Sequence, residues 1–527
     1  MNSLPPELIQ RIGFFLPLWE KCLGYDRKFL PQDLISCTLV SRTWRSALLP
    51  VLWSMYDDSG AETVTPLELH RNRHHIQYLH LKKSWPPGIL YPTKLRRLCI
   101  NSSALLKSAA LIQLNPKLTA LKVTVDGHFG MATKAAVTAL KIPAEFADNT
   151  DDDMDELGEE EEEEDEKEWR QEKVYTFSDL HLVLETLSNL KSFHLCDCEL
   201  SDLSIFLKFV RSNPSLTHLT LDGIQRLERP IGYASLTSVT NLALMGSREQ
   251  GVWQPCSHLS DLVRLFPNME TLAFAQCRSG DVAELGRSIR LFCPKLTSLR
   301  TLDPILSLRY YPLPSLAAAE LIIPPMRLVH YEAACSTLTP DLLTALLQHT
   351  ASLQSISLYV VNDSEETFAT AGKILASFPN LRTFSMGLSP IRRSQDNSWA
   401  FFDQVWSCPR LEEISLMGYF PWFQESNERR VVEEADKGFE IPDTDSDVDI
   451  QASAIVIPER HPASDRAFFE SLAKVGWAYR KEIDPYGTKG KPISNGIRAT
   501  RNKLFERLVH LPHMRNIKLP DARYVKL

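Results

Sequence analysis

Cys196-Asp197-Cys198 is the closest cysteine pair in the chain. Residues two apart on a strand share a face, so both thiols are expected on one side. Zinc sites usually draw four ligands, with cysteines two to four residues apart. No second pair complements this one, and the two are read as structural cysteines. His70 and His74 stand four apart, a spacing that helical metal ligands use. Without an H-E-x-x-H pattern or a third ligand, they are read as solvated or capping histidines. Gly487-Thr488-Lys489-Gly490-Lys491 shares only composition with a phosphate loop and reads as a flexible turn. No nucleophile elbow, dinucleotide fingerprint or Ser/His/Asp arrangement is visible, so no catalytic residue, cofactor or metal is expected.

Two further segments carry charge. Asp148–Glu168 is dominated by Asp and Glu and cannot build a packed core. It reads as a solvated, disordered loop, with a tail for a basic partner as the alternative. Ser446, followed by Asp447 and Asp449, has the form of an acid-directed phosphorylation site, a pattern that also arises by chance.

The chain that must position these groups has 527 residues, 44% hydrophobic and 24% charged, with net charge -8. Those values suit a globular protein. The acidic balance argues against a nucleic-acid partner, which calls for a basic face. No stretch approaches the ~20 apolar residues of a membrane helix, and no secretory signal is read at the N-terminus. The ten cysteines contain no C-x-x-C and read as reduced thiols, which points to the cytoplasm, the nucleus or both.

A six-residue pattern, apolar-x-x-apolar-x-apolar, recurs along the chain. Its copies begin at Ile76, Leu95, Leu118, Leu190, Leu216, Val239, Met269, Leu296, Leu316, Leu353, Leu381, Leu411 and Met514. Most starts lie about 19–30 residues apart, the period of short strand–helix repeats. The segments between read as helices, for example 202–210 and 339–347. Several end in Asn-Pro, Phe-Pro or Cys-Pro just before the next strand, as at Asn115-Pro116, Asn213-Pro214, Cys293-Pro294 and Cys408-Pro409. Proline stops a helix there. Segments 468–479 and 497–511 also have helical spacing.

The first fifty-odd residues differ. Leu4-Pro5-Pro6-Glu7-Leu8 suits a helix start, with proline in the first turn and a carboxylate against the dipole. Leu8, Ile12, Phe15 and Leu16 follow at helical spacing. A loop through Pro17, Gly24 and Pro31 leads to a second helical stretch from about Asp33, with Leu34, Cys37, Val40, Trp44 and Leu48 near one side. So short a hairpin cannot bury all this apolar surface alone.

The order Leu4-Pro5-x-Glu7-Leu8-x3-Ile12-x3-Leu16, Asp33-Leu34, Leu39-Val40-Ser41-x2-Trp44-Arg45, Leu52-Trp53 resembles an F-box, over residues 3–54. The loop between its halves is longer than that family usually shows. The downstream pattern resembles the leucine-rich repeats that follow many F-boxes, over about 70–420 and 495–520. Together these imply an α/β fold: a short all-α F-box module followed by a leucine-rich-repeat solenoid, a horseshoe with parallel strands on its concave face and helices outside. The expected domains are 1–56 and 57–527, the second interrupted by disordered insertions at about 145–173 and 422–466.

The resemblance implies that Leu4, Pro5, Leu8, Ile12, Leu16, Leu34, Leu39, Val40, Trp44, Leu52 and Trp53 bind a Skp-type adaptor, and through it cullin and RING subunits. Repeat register places Tyr78, His80, Lys82, Arg97, Lys122, His194, His218, Asp222, Met245, Arg300, Tyr359, Glu413, Met417 and Lys518 on the concave face. A target protein is expected there, with any acidic contact near Lys82, Arg97 and Lys122. The function implied is a non-catalytic substrate receptor of a Skp–cullin–F-box ubiquitin ligase, with no nucleic-acid or membrane partner. Two alternatives stay open: an F-box scaffold outside ubiquitination, and a repeat-protein regulator of the GTPase-activator or histone-chaperone type.

Overall fold

The structure is a computed structural model. The structure describes residues 4–16, 19–21, 27–29, 32–58, 64–125, 176–224, 227, 229–230, 232–245, 247–249, 252–254, 258–274, 279–301, 327–335, 337–338, 340–360, 364–388, 398–418, 468, 472, 476–481, 495–508, 511–519 and 522–526. Both expected insertions, the Leu316 copy of the pattern, Ser446 and the Gly487–Lys491 turn lie outside them. The chain forms two compact units, Met1–Phe266 and Pro267–Leu527.

The first unit begins with three helices: α1 (Pro6–Phe15), α2 (Gln32–Thr38) and α3 (Arg42–Leu52). Pro6 and Glu7 occupy the first turn of α1. Ser41 caps α3 by accepting from the Trp44 N–H at 3.2 Å. Ile9, Leu34, Leu48 and Val51 form the buried centre, with Leu16, Cys37, Trp44, Ala47 and Leu52 packed around it. Gly13 lets α1 close on α3, because a Cβ there would sit 2.6 Å from Leu48 Cδ2. The apolar stripe read along this helix is therefore not its packed side. Ile9 and Gly13 face the core, while Leu8, Ile12 and Phe15 are exposed. Within the expected loop, β1 (Trp19–Lys21) and β2 (Arg27–Phe29) pair antiparallel.

From α3 the chain turns into β3 (Met55–Asp57), which opens a sheet. It continues in chain order through β4 (Tyr78–Leu81), β5 (Arg97–Asn101), β6 (Ala120–Thr124), β7 (Ser192–Cys196), β8 (His218–Asp222) and β9 (Asn241–Leu244). Every pairing from β3 to β9 is parallel. Parallel neighbours need a crossover between them, and helices supply it at Pro66–Asn72, Ser102–Lys107, Ala109–Gln113, Phe177–Leu184 and Leu203–Ser212. Thr65/Glu68 and Thr176/Asp179 form capping boxes on two of these, and Asp202 caps a third. A short antiparallel pair, β10 (Ser247–Glu249) and β11 (Val252–Gln254), follows β9.

The pattern's apolar positions are the core: Leu79/Leu81, Leu98/Ile100, Leu121/Val123, Phe193/Leu195 and Leu219/Leu221 are all buried. Phe177, Phe193, Phe206 and Phe209 pack edge-on or tilted between helix and strand, with centroids 5.0 Å apart at the closest. The Asn-Pro punctuation works through its asparagine as well as its proline. Buried Asn213 accepts from the Leu190 N–H at 3.2 Å and donates to the Phe209 carbonyl at 3.0 Å. Asn115 accepts from the Leu95 N–H and donates to the Pro92 and Leu111 carbonyls, each at 2.8 Å. Each side chain ties a helix end to the start of the preceding repeat's strand segment, satisfying backbone groups that would otherwise be buried unpaired.

The second unit carries β12 (Thr271–Phe274), β13 (Ser298–Thr301), β14 (His330–Cys335), β15 (Ser355–Val360), β16 (Thr383–Leu388) and β17 (Glu413–Gly418), again parallel and in chain order. Its described helices include Ser279–Phe292, Pro340–Leu347, Glu365–Ser377 and Asn495–Leu508. The end of the sheet departs from this plan. With β18 (Trp477–Lys481), β19 (Asn516–Lys518) and β20 (Ala522–Lys526), the order becomes β17-β19-β20-β18, and the last two pairings are antiparallel. Helical spacing over 468–479 holds at Phe468 and Leu472, which are helical, and is corrected at its end, where residues 477–481 are a strand. Its alternation holds buried Trp477, which packs edge-on against Phe505 at 5.9 Å.

Candidate functional site

Two surfaces gather the residues singled out from the sequence. The first is on the N-terminal helices. Leu4, Leu8, Ile12, Leu39 and Val40 are exposed, together with Phe14, Phe15 and Ile35. Pro5 is also exposed, at the start of α1. The rest of the expected adaptor set faces inward to differing degrees. Leu34 is fully buried, while Leu16, Trp44 and Leu52 pack against the module's centre and Trp53 is half-buried. Leu34 can affect a partner only by holding the helices in place, while the half-buried residues keep some surface of their own.

The second surface is the strand face opposite the core. In parallel register, residues far apart in sequence become lateral neighbours. One row of the first unit reads Asp57, His80, Cys99, Lys122, His194, Thr220, Ala243 across β3–β9. The row before it holds Met55, Tyr78, Arg97, Ala120, Ser192, His218 and Asn241, and the row after it includes Asn101, Thr124, Cys196 and Asp222. Tyr78, Arg97, Lys122, His194 and His218 thus share one face. Lys82 and Met245 lie just past the ends of β4 and β9.

Asp57, which sequence reading left at a domain boundary, is buried and accepts from His80 Nδ1 at 3.0 Å. That bond, with a second to the Cys99 side chain, raises His80 to about 10 against the opposing effect of burial. Asp57, His80 and Cys99 line up as carboxylate, imidazole and thiol. At neutral pH, however, His80 is an imidazolium without a free lone pair, so it cannot serve as a general base. Next to it, Asp58 accepts from the backbone N–H groups of Lys82 and Lys83, at 2.8 and 2.7 Å for its Oδ2. A carboxylate therefore stands beside the backbone at Lys82.

Farther along, His194 Nε2 lies 3.1 Å from Cys196 Sγ and 3.8 Å from Asp222 Oδ2. Burial pushes the Cys196 thiol up to about 12. The strand ends at Cys196, and the next residue, Asp197, has a φ of 54°. Burial, then the Asp222 carboxylate, raise the Asp197 carboxyl to about 7. This turn alters the expectation for the cysteine pair. Cys196 stays in the strand beside His194, whereas Cys198 lies past the bend, fully buried, its thiol donating to the Glu199 carbonyl at 3.6 Å. His70 and His74 also part: one lies in the Pro66–Asn72 helix and the other in the following 3-10 turn, its ring 3.9 Å from that of His75.

In the second unit, the corresponding rows hold Ser298, His330, Ser355, Thr383, Glu413 and Asn516, then Arg300, Glu332, Ser357, Ser385, Ser415 and Lys518. Arg300 pairs with Glu332 at 2.7 Å and Glu413 with Lys518 at 2.6 Å. Tyr359 and Met417 flank Gly387, and a Cβ on that glycine would lie 3.0 Å from the Tyr359 ring. Among the described residues, Cys37, Cys99, Cys196, Cys198, Cys293 and Cys408 are in no disulfide. No helix among them is long and apolar enough to cross a membrane.

No family model matches the chain, and no curated protein matches it. Among solved structures, a chain of the Drosophila Toll–Spätzle complex, a hub in development and innate immunity, is similar at 11% identity and a TM-score of 0.27. The match covers 69% of this chain and about half, 54%, of that one. What stands without any relative is a mixed α/β chain with a long run of parallel strands in each of its two units.

Proposed function

We propose that this chain is a substrate receptor of a Skp–cullin–F-box ubiquitin ligase, built from an F-box module and leucine-rich repeats. The observation that carries the reading is on α1 and the segment after α2. Leu4, Leu8, Ile12, Leu39 and Val40 are left exposed beside a complete small core, and these are residues the F-box resemblance assigns to the adaptor. Exposed clusters of large apolar side chains suit a protein partner. The repeat reading is supported by the parallel strands in chain order and the buried six-residue pattern. The target would lie on the strand face of the first unit, where Tyr78 and Arg97 offer side chains of the types common at interfaces. The chain itself would make or break no bond. It would raise the local concentration of target lysines near the ubiquitin-charged enzyme.

Reconstitution with adaptor, cullin and RING subunits tests this. The reading expects one four-part complex that transfers ubiquitin to a protein bound by this chain. Assembly that fails with folded components would overturn it.

A further inference from the structure

We propose that His194, Cys196 and Asp222 form a binding site for a zinc-type divalent cation on the strand face of the first unit. The idea does not depend on the ligase reading. An imidazole nitrogen, a thiol sulfur and a carboxylate oxygen converge there, all within 4.8 Å of one another. The backbone holds them in place. His194 and Cys196 are two apart on β7, and Asp222 on β8 is the register partner of Cys196. The Asp197 N–H also donates to the Asp222 carbonyl at 2.7 Å.

Zinc bonds of about 2.0–2.3 Å in a tetrahedron separate ligand atoms by roughly 3.3–3.7 Å. The separations of 3.1 and 3.8 Å from His194 Nε2 bracket that range, and the third pair, within 4.8 Å, would close on the ion by side-chain rotation. The donor set selects the ion. Sulfur and imidazole suit zinc or cobalt, whereas magnesium and calcium take oxygen. Three protein ligands leave a fourth position. His194 and Asp222 side chains are 28% and 36% exposed, so that position is open to water or to a donor from a bound protein. Two neighbouring charges bear on the site. Lys122, the register partner of His194, opposes a cation, and the Asp197 carboxyl favours one. Sequence spacing alone conceals the set, because Asp222 is separated from Cys196 by a full repeat.

The test is titration of the metal-stripped full chain with Co²⁺ alone, read by absorption. The expected result is one equivalent bound with a thiolate-to-cobalt charge-transfer band that Zn²⁺ displaces. Cys196→Ser should abolish the band and Cys99→Ser should leave it. His194→Gln and Asp222→Asn should each weaken cobalt binding by about tenfold or more. These two half-exposed positions decide the matter if Cys196→Ser does not fold. Cobalt collected by the Asp148–Glu168 carboxylates gives no thiolate band. Absence of the band in the wild-type chain, or its persistence in Cys196→Ser, would overturn the proposal.

Discussion

Leu8→Ala combined with Leu39→Ala should cut adaptor affinity while leaving the fold intact. Full burial of a leucine side chain is worth about 1.5–3 kcal/mol. Leu8 is 45% and Leu39 77% exposed, so docking can add about 1 and about 1.5 kcal/mol respectively. The sum of about 2.5 kcal/mol corresponds to about a 70-fold rise in Kd. Neither residue belongs to the Ile9–Leu34–Leu48–Val51 cluster or its packing shell, so thermal stability should change little. Trp44→Ala is the contrasting variant. It removes packing against that cluster, so lost binding would come with lost stability. Calorimetric titration of the purified chain with adaptor, beside a melting curve for each variant, separates the two effects. A double variant that binds within about threefold of wild type would refute the reasoning, since the exposed leucines would then contribute almost nothing at the interface.

Two further outcomes are expected. His80 is raised to about 10 in the fold, from an ordinary value near 6.5, by Asp57 and Cys99. Its contribution is complete below about pH 6.5, where folded and unfolded chains are both protonated, and is lost as pH rises through about 10. Denaturation midpoints should therefore fall more steeply between pH 7 and 10 in wild type than in His80→Gln, and parallel curves would contradict the assignment. Asn213→Ala removes the acceptor for the buried Leu190 N–H and a donor to the Phe209 carbonyl. It should cost about 1–3 kcal/mol, read as a lower urea midpoint at unchanged slope; an unchanged midpoint would show that water replaces the side chain.

The strand register was legible because apolar residues at fixed offsets can serve only one face of a parallel sheet. It failed where the residues were atypical. The strand between β13 and β15 is β14, whose pattern Leu328-x-x-Tyr331-x-Ala333 uses a phenol and a methyl group at buried positions. The six-residue pattern does not pick this strand out, because neither residue is a large aliphatic. The packed face of α1 was not legible either, because a glycine, not a large side chain, marks it. The candidate sites were less legible still. Asp57, His80 and Cys99 are 23 and 19 residues apart in sequence, and only the register of three adjacent strands makes them a hydrogen-bonded line. Cys196 and Cys198 looked equivalent until the positive φ at Asp197 separated them, a turn that no apolar period records.

The most direct test of the central claim is size-exclusion light scattering of the full chain mixed with a Skp-type adaptor. The account predicts a one-to-one complex that the Leu8→Ala/Leu39→Ala chain fails to form at the same concentration. A folded wild-type chain that elutes alone would contradict the ligase reading, leaving the parallel-strand architecture in place and its N-terminal helices as a cap on the sheet.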